Sequence, residues 1–475
     1  MNRNLRLLIN GALHETESCF EVLNPSTGLA FASAPNASAA QVQFALSSAK
    51  SGFKVWSKIC QSDRRRMLLH AAEILETNRS KIENLLVLEQ GKPLASAVAE
   101  MNGALSSMRS CPEVLPEKIV KETPTHLLKV RHVPLGVVVG ITPWNYPLSL
   151  GCGKIARALS HGNSIVLKPS PFTPLTSLLV GELLVDVFPP GVLNVISGSD
   201  DISPSIGQQL VESPAVSLVS FTGSVPTGKR IMASCASNMT RVLLELGGND
   251  PAIVLADADV PETAKGVFAM AMANSGQICC AIKRVYVHES VYDEFVDCVV
   301  ELAKNAQVGN GMDPKVQYGP LNNKAQLERV KMLVDDAVNK KAKIMAGKCP
   351  ENGYFFPPTI LTNVSDGMRI VDEEQFGPVM PVLKYSTVEE VIERANASKL
   401  GLGASVWGRD PSTLNLVASQ LEAGFVWTNQ HAVLREGAPF GGMKQSGFRR
   451  EGDGAECDLD AYTEVQSIKL AKMVQ

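Results

Sequence analysis

The stretch Val216–Arg230, "VSLVSFTGSVPTGKR", carries an apolar run into a Gly-Ser turn and then into residues that suit a helix. That is the strand-turn-helix unit of a nucleotide-binding α/β layer. Its second half, Gly223-Ser224-Val225-Pro226-Thr227-Gly228-Lys229-Arg230, nearly spells a phosphate-binding P-loop. Two positions argue against an NTPase. Arg230 stands where a Ser or Thr hydroxyl would bind magnesium, and Pro226 removes an N–H from a loop that should present N–H groups. What survives is a turn whose following helix offers its N-terminus to a pyrophosphate.

Working outward, similar apolar runs precede and follow it. "GVVVGI" (136–141), "SIVLKPS" (164–170) and "GVLNVIS" (191–197) alternate with helical patterns, as buried parallel strands do. A second series starts at "PAIVLADADV" (251–260). It continues through "KRVYVH" (283–288), a long helix at "SVYDEFVDCVVELAKNA" (290–306), "VMPVLKY" (379–385) and "ASVWG" (404–408). Two doubly wound α/β domains follow from this alternation. Near the start, Val42, Leu46, Ala49, Phe53 and Trp56 mark one amphipathic helix. Gly151-Cys152-Gly153-Lys154-Ile155-Ala156 matches the G-x-G-x-x-A pattern of dinucleotide folds, but it follows "PWNYPLSL" rather than a strand, so it reads as part of a packed helix.

Bulk properties narrow the function. A chain of 475 residues is too long for one ordinary core and predicts two or three domains. Lys and Arg number 45 against 48 for Asp and Glu, so no strong field attracts a polyanion and nucleic acid is not an expected partner. Arg64-Arg65-Arg66 continues at helical spacing into Met67, Leu68, Ala71, Ile74 and Leu75, which predicts a solvated helix end. The start, "MNRNLRLLINGALHE", has too few consecutive apolar residues for a signal segment, and no stretch reaches the length of a membrane span. The expectation is a cytoplasmic protein off the membrane. Ten cysteines without CxxC pairing are expected to be mostly small buried hydrophobes in a reducing compartment, with no metal site.

Three residues carry possible chemistry. "NSGQICCAIKR" (274–284) sets Cys279 and Cys280 side by side after Gly276-Gln277-Ile278, with no ligand-spaced Cys or His nearby to make a zinc site. Glu245 ends an apolar run before Leu246-Gly247-Gly248; it is either a charge desolvated for chemistry or one satisfied by the glycine turn. Asn145, held between Trp144 and Tyr146 with a proline on each side, is either an oxyanion donor or the anchor of a proline turn. Spacing alone does not assemble thiol, carboxylate and amide into one site.

The order of motifs does more. "PWNYP" (143–147), "LKPS" (167–170), "FTGS" (221–224), "LELGG" (244–248), "GQICC" (276–280), "EEQFGP" (373–378) and "PFGGMKQSG" (439–447) follow one another as in the NAD(P)-dependent aldehyde dehydrogenase superfamily, which the chain resembles almost end to end. The resemblance implies that Cys279, not Cys280, is the nucleophile and Glu245 the general base, at the family's usual separation (279 − 245 = 34), with Asn145 as the oxyanion amide. It implies a hydrolytic enzyme, because related acylating enzymes commonly lack that glutamate. It places Trp144, Lys168, Gly223, Ser224, Glu374 and Phe376 on the cofactor: Lys168 at the adenine ribose, Gly223 and Ser224 at the pyrophosphate, Glu374 at the nicotinamide ribose with Phe376 beside it. NAD is expected, with NADP possible, since Pro171 replaces a glutamate common in NAD-preferring relatives.

The same resemblance divides the chain into a dinucleotide-binding domain (1–117 and 137–246), a catalytic domain (247–445), and a small β arm with a C-terminal segment (118–136 and 446–475) that join subunits into a homodimer or homotetramer. Gly153 and Ala273 stand where relatives specialised for small aldehydes carry aromatics, which implies a roomier aldehyde tunnel. A non-catalytic protein on this fold is the competing reading; relatives of that kind have lost the nucleophile or the base, and both stand here.

Overall fold

The computed structural model describes residues 5–110, 118–200, 204–434, 437–452 and 455–472. Five strands, Val137–Ile141, Ser164–Lys168, Leu193–Val195, Leu218–Gly223 and Arg241–Leu246, run parallel in the first sheet. The sheet is widened to eight strands by the hairpin Leu7–Ile9 and Ala12–His14 at one edge and by Gly447–Phe448 at the other. The chain moves outward from Val137–Ile141 to one side, then returns to lay Leu218–Gly223 on the other. That reversal opens a crevice at the carboxyl ends of these two strands, where open α/β sheets hold their ligands. The expected strand-turn-helix unit is there: Leu218–Gly223 leads through Ser224 into the helix Val225–Ala236. The discounted glycine pattern lies in the buried helix Pro147–Ser160.

A second, seven-stranded sheet contains six parallel strands: Asp250–Val254, Ile282–His288, Thr359–Thr362, Val379–Tyr385, Gly403–Trp407 and Phe425–Thr428. The long helix Tyr292–Asn305 buries Phe295, Val296, Val299 and Val300 against it. Passage from one sheet to the other takes only Gly247, Gly248 and Asn249, between Leu246 and Asp250. The two glycines leave no room for side chains. A Cβ on Gly247 would lie 2.1 Å from a Glu374 carboxylate oxygen, and one on Gly248 would lie 2.7 Å from the Cys279 carbonyl. The carboxyl end of the first sheet therefore faces the loops that enter the second.

Lys118–Glu122, His126–Pro134 and Thr463–Ala471 form a separate three-stranded sheet that leaves Ile119, Val120, Val465 and Leu470 exposed. Among the described residues no helix is long and apolar enough to cross a membrane.

Two local expectations change. Arg65 and Arg66 are exposed, but Arg64 is buried, with its guanidinium tucked over Gly162 where even a Cβ would not fit. A side chain one position along a helix turns by about a quarter of the circle, so a basic run need not share one solvated face. Of the eight cysteines whose surroundings are described, all free, only Cys152, Cys235 and Cys280 are buried. The expectation of mostly buried thiols holds for a minority, because Cys19 and Cys60 sit on exposed positions of a strand and a helix entry.

Candidate active site

The helix Val260–Met272 begins on an Asp259 cap and ends in a tight turn, Ala273–Gly276. Asn274 (φ 50°), Ser275 (φ 56°) and Gly276 (φ 74°) are all left-handed. Such a run is costly for non-glycine residues and persists only when its surroundings impose it. Here they do. Ser275 Oγ donates to Gly319 O (2.7 Å), Asn274 Nδ2 to Asn145 O (3.2 Å), and Gln277 Nε2 to Asn274 O (2.8 Å), while Gln277 Oε1 accepts from Asn322 N (2.8 Å). Gly276 is obligatory because a Cβ would stand 2.1 Å from Gly377 O. The turn delivers two cysteines to different places. Cys279 is half-buried at the junction of the sheets, whereas Cys280 is buried and its carbonyl accepts from His431 Nε2 (2.8 Å).

Glu245, the penultimate residue of Arg241–Leu246, lies at the carboxyl end of the first sheet within electrostatic reach of this thiol. A hydrogen bond with the Cys280 side chain, and then burial, push the Cys279 thiol well above its ordinary value, against the pull of Glu245 and Lys283. Burial, and then the neighbouring thiol, push Glu245 up as well. Both shifts favour the neutral forms, and the carboxylate form of Glu245 is the one that can accept the thiol proton. Glu245 Oε1 has no protein partner. The glycine turn does not satisfy it, which removes one of the two readings left open by the sequence.

Asn145 is buried, and its Nδ2 donates to Gln277 O (3.0 Å), 132 residues along the chain. The side chain thus faces the Cys279 loop instead of closing its own proline turn. Its backbone is pinned from below. Lys92 Nζ donates to Asn145 O (2.9 Å) and to Glu100 Oε2 (2.5 Å), while Glu100 Oε1 accepts from Leu148 N (2.9 Å) and Ser149 N (3.2 Å) at the start of the helix Pro147–Ser160. Removing one partner of so fully buried a pair would leave an uncompensated charge.

Trp144, Lys168, Gly223 and Ser224 line one cleft of about 780 Å³ at the strand reversal, together with Pro171 and Arg230. The Thr142 and Thr222 hydroxyls on its wall are buried and unpartnered, and Ser224 caps the helix Val225–Ala236, so the walls fit an extended polar ligand with a phosphate at that helix. Lys168 is buried beside Pro169 O (3.4 Å) and Asp200 (3.6 Å); burial lowers its pKa. Glu374 and Phe376 do not line this cleft, and Phe376 reaches it through Trp144. The Phe376 ring meets Trp144 edge-on at 5.3 Å with a left-handed backbone (φ 51°), which Gln326 Nε2 holds by donating to Gln375 O (2.8 Å) and Phe376 O (2.9 Å).

Several charged residues at the site were not singled out from the sequence. Lys154 Nζ donates to Ser220 Oγ (2.8 Å) and lies 3.5 Å from Glu451 Oε1, which also accepts from Tyr462 Oη (2.8 Å). Burial would raise the Glu451 carboxyl, but the Lys154 ammonium and the Arg157 guanidinium outweigh it and hold it down at about 2. Lys154 in turn acts on Glu245, favouring its charged form. The only signal in the sequence is a lysine inside an apolar helix.

Gly153 also changes meaning: a Cβ there would lie 2.8 Å from the Arg157 guanidinium, so its missing side chain makes room for Arg157 and not for substrate. Ala273 is half-buried at the start of the turn.

The aldehyde dehydrogenase family model matches residues 13–468. The mitochondrial aldehyde dehydrogenase of Mesocricetus auratus is 37% identical over 98% of this chain and 95% of that protein, and the mitochondrial succinate-semialdehyde dehydrogenase of Arabidopsis thaliana is 38% identical over 95% and 86%. The NAD⁺ complex structure of a Bacillus cereus aldehyde dehydrogenase superposes with a TM-score of 0.95 at 37% identity, covering 99% of this chain and 97% of that one. An assignment resting on seven motifs is thereby extended over the whole length: the chain belongs to the aldehyde dehydrogenase family and is an enzyme that oxidises aldehydes to acids.

Proposed function

We propose that the enzyme works by covalent catalysis at Cys279, with Glu245 as base, Asn145 as oxyanion donor, and NAD held by Trp144, Lys168, Gly223, Ser224, Glu374 and Phe376. The observation that carries this reading is the placement of the Glu245 carboxyl beside the Cys279 thiol at the junction of the two sheets, with the Asn145 amide bonded to the loop that carries that thiol. Glu245 takes the thiol proton, and the thiolate adds to the aldehyde carbon. The resulting alkoxide lies between the second Asn145 N–H and the Cys279 backbone N–H, where a donor of this kind contributes about 3 to 4 kcal/mol. NAD, when bound, supplies the hydride acceptor. Glu245 releases the thiol proton to solvent. Water then attacks the thioester left on Cys279 and passes a proton to Glu245. Collapse releases the acid and expels the thiolate, which takes the proton back from Glu245, while the acid ionises to the carboxylate.

The test is a panel of aldehydes with NAD or NADP, followed by absorbance of the reduced nicotinamide. Turnover of several aldehydes supports the reading, and none from any aldehyde with either cofactor would sink it. Aromatic or medium-chain aldehydes are expected to exceed acetaldehyde in kcat/KM. Ala273→Phe is expected to lower kcat/KM for the bulky substrates by about tenfold or more while sparing acetaldehyde; equal losses on both would return Ala273 to plain packing.

Discrimination against NADP is expected to be weak. Pro171 lines the cleft near Lys168 and presents no carboxylate to bind ribose hydroxyls or repel a 2′-phosphate. Such a charged hydrogen bond is worth roughly 1.5 to 3 kcal/mol, or about ten- to a hundredfold. Pro171→Glu should raise the NAD over NADP ratio of kcat/KM by that factor. A native ratio above about a thousandfold, unmoved by the substitution, would place selectivity elsewhere.

We assign residues 1–117 and 137–246 to cofactor binding, 247–445 to catalysis, and 118–136 with 446–475 to assembly as a homodimer or homotetramer; residues 1–4, 111–117, 201–203, 435–436, 453–454 and 473–475 of these ranges lie outside the described residues. The exposed apolar residues of the three-stranded sheet support assembly, and the free thiols support a reducing, cytoplasmic location.

A further inference from the structure

Lys283, second residue of the strand Ile282–His288, is an ammonium buried in the core of the site, with 3% of its side chain exposed. Its three N–H donors are directed at the loop that carries the nucleophile: Ile278 O at 2.7 Å, Cys279 O at 2.9 Å and Ala281 O at 3.4 Å. On its other side Glu374 Oε1 stands 3.6 Å away, and that oxygen also accepts from Gly248 N (3.3 Å).

This geometry does two things to Cys279. The C=O and N–H of a trans peptide point in opposite directions, so pinning the Ile278 carbonyl fixes where the Cys279 N–H points. In addition, the three carbonyl oxygens gathered around the ammonium belong to the loop that carries the thiol, and a positive charge among them favours a thiolate that their dipoles alone would oppose. We propose that Lys283 is a positioning residue of the reaction, clamping the Cys279 loop against Glu374 and supplying the fixed positive charge beside the thiol. The proposal rests on Cys279 being the nucleophile. The charged and titratable groups facing that thiol are Glu245, Cys280, Tyr146 and Lys283, with Lys154 behind Glu245; those facing Lys283 through Glu374 are Asp250 and Arg329.

A lysine that merely satisfied loop carbonyls would alter stability and leave the thiol's acidity alone. The experiment therefore reads acidity directly: the pH profile of iodoacetamide alkylation in cofactor-free enzyme, in a Cys280→Ala background, with the adduct located by peptide mass spectrometry. Lys283→Met is expected to move the Cys279 midpoint up by about one unit or more, slow alkylation near neutral pH by about tenfold, and lower kcat more than it changes KM. Lys283→Arg keeps the charge and should restore most of the profile. Glu374→Gln removes the counter-charge and should move the midpoint down, which tests the proposal even if Lys283→Met does not fold. A folded Lys283→Met with an unchanged Cys279 profile overturns the proposal, as does a Glu374→Gln midpoint that stays or rises. An adduct at another cysteine, with Cys279→Ala still active, would instead defeat the nucleophile assignment.

Discussion

Cys279→Ala should lose dehydrogenase activity by at least about ten-thousandfold, while Cys280→Ala keeps most of it. The two side chains differ in position and not in kind. The left-handed run Asn274-Ser275-Gly276 turns the chain so that the first thiol reaches the space in front of Glu245 and Asn145, and the second packs inward with its carbonyl tied to His431. Cys280, at 2% exposed, is too buried to meet a substrate. Steady-state rates of the two variants, each with its folding checked by circular dichroism, decide the matter. Activity retained by Cys279→Ala and lost by Cys280→Ala would exchange their roles.

Glu245→Gln is expected to separate the two halves of the reaction. The amide can take a proton neither from the thiol nor from water. Thiolate formed by loss of its proton to solvent still acylates, whereas the thioester then lacks the base that activates water, so reduced cofactor should appear as a burst of about one equivalent per site and then nearly stop. Steady-state kcat should fall by about a hundred- to ten-thousandfold. The pH dependence has a definite sign. Burial, and then the Cys279 thiol beside it, raise the native Glu245 well above the ordinary carboxylate range. Its basic form therefore gains population as pH rises, and native deacylation should quicken with pH where the variant stays slow and flat. Rapid mixing shows the burst, and full turnover by the variant would remove Glu245 from deacylation.

The fold was legible wherever local pattern and burial agree. The stretch from Val216 to Arg230 contains the strand and helix expected of it, and the G-x-G-x-x-A motif is a packed helix because no strand feeds it. The convergence of Cys279, Glu245 and Asn145 came from motif order, and the resemblance supplied what spacing left open. Buried charges were the blind spot. Lys154 meets Glu451 across 297 residues, and Lys92 reaches Asn145 across 53, so no local window contains both partners. A lone lysine in an apolar run looks the same whether it snorkels to solvent or finds a distant carboxylate, and only the fold decides. Arg64 shows the error in the other direction, a basic residue assigned to water that the helix turns inward.

The strand Gly447–Phe448, Glu451 and Tyr462 all return to the sheet that bears Glu245, and the strand that follows, Thr463–Ala471, joins the exposed three-stranded sheet. Translation delivers them late: Glu451 emerges about two hundred residues after Glu245 (451 − 245 = 206). A polypeptide still on the ribosome can display the thiol and its base, but Lys154 lacks its Glu451 partner and the sheet has no finished edge. The reactive centre matures together with the exposed three-stranded sheet, so an unfinished chain is deprived of both at once.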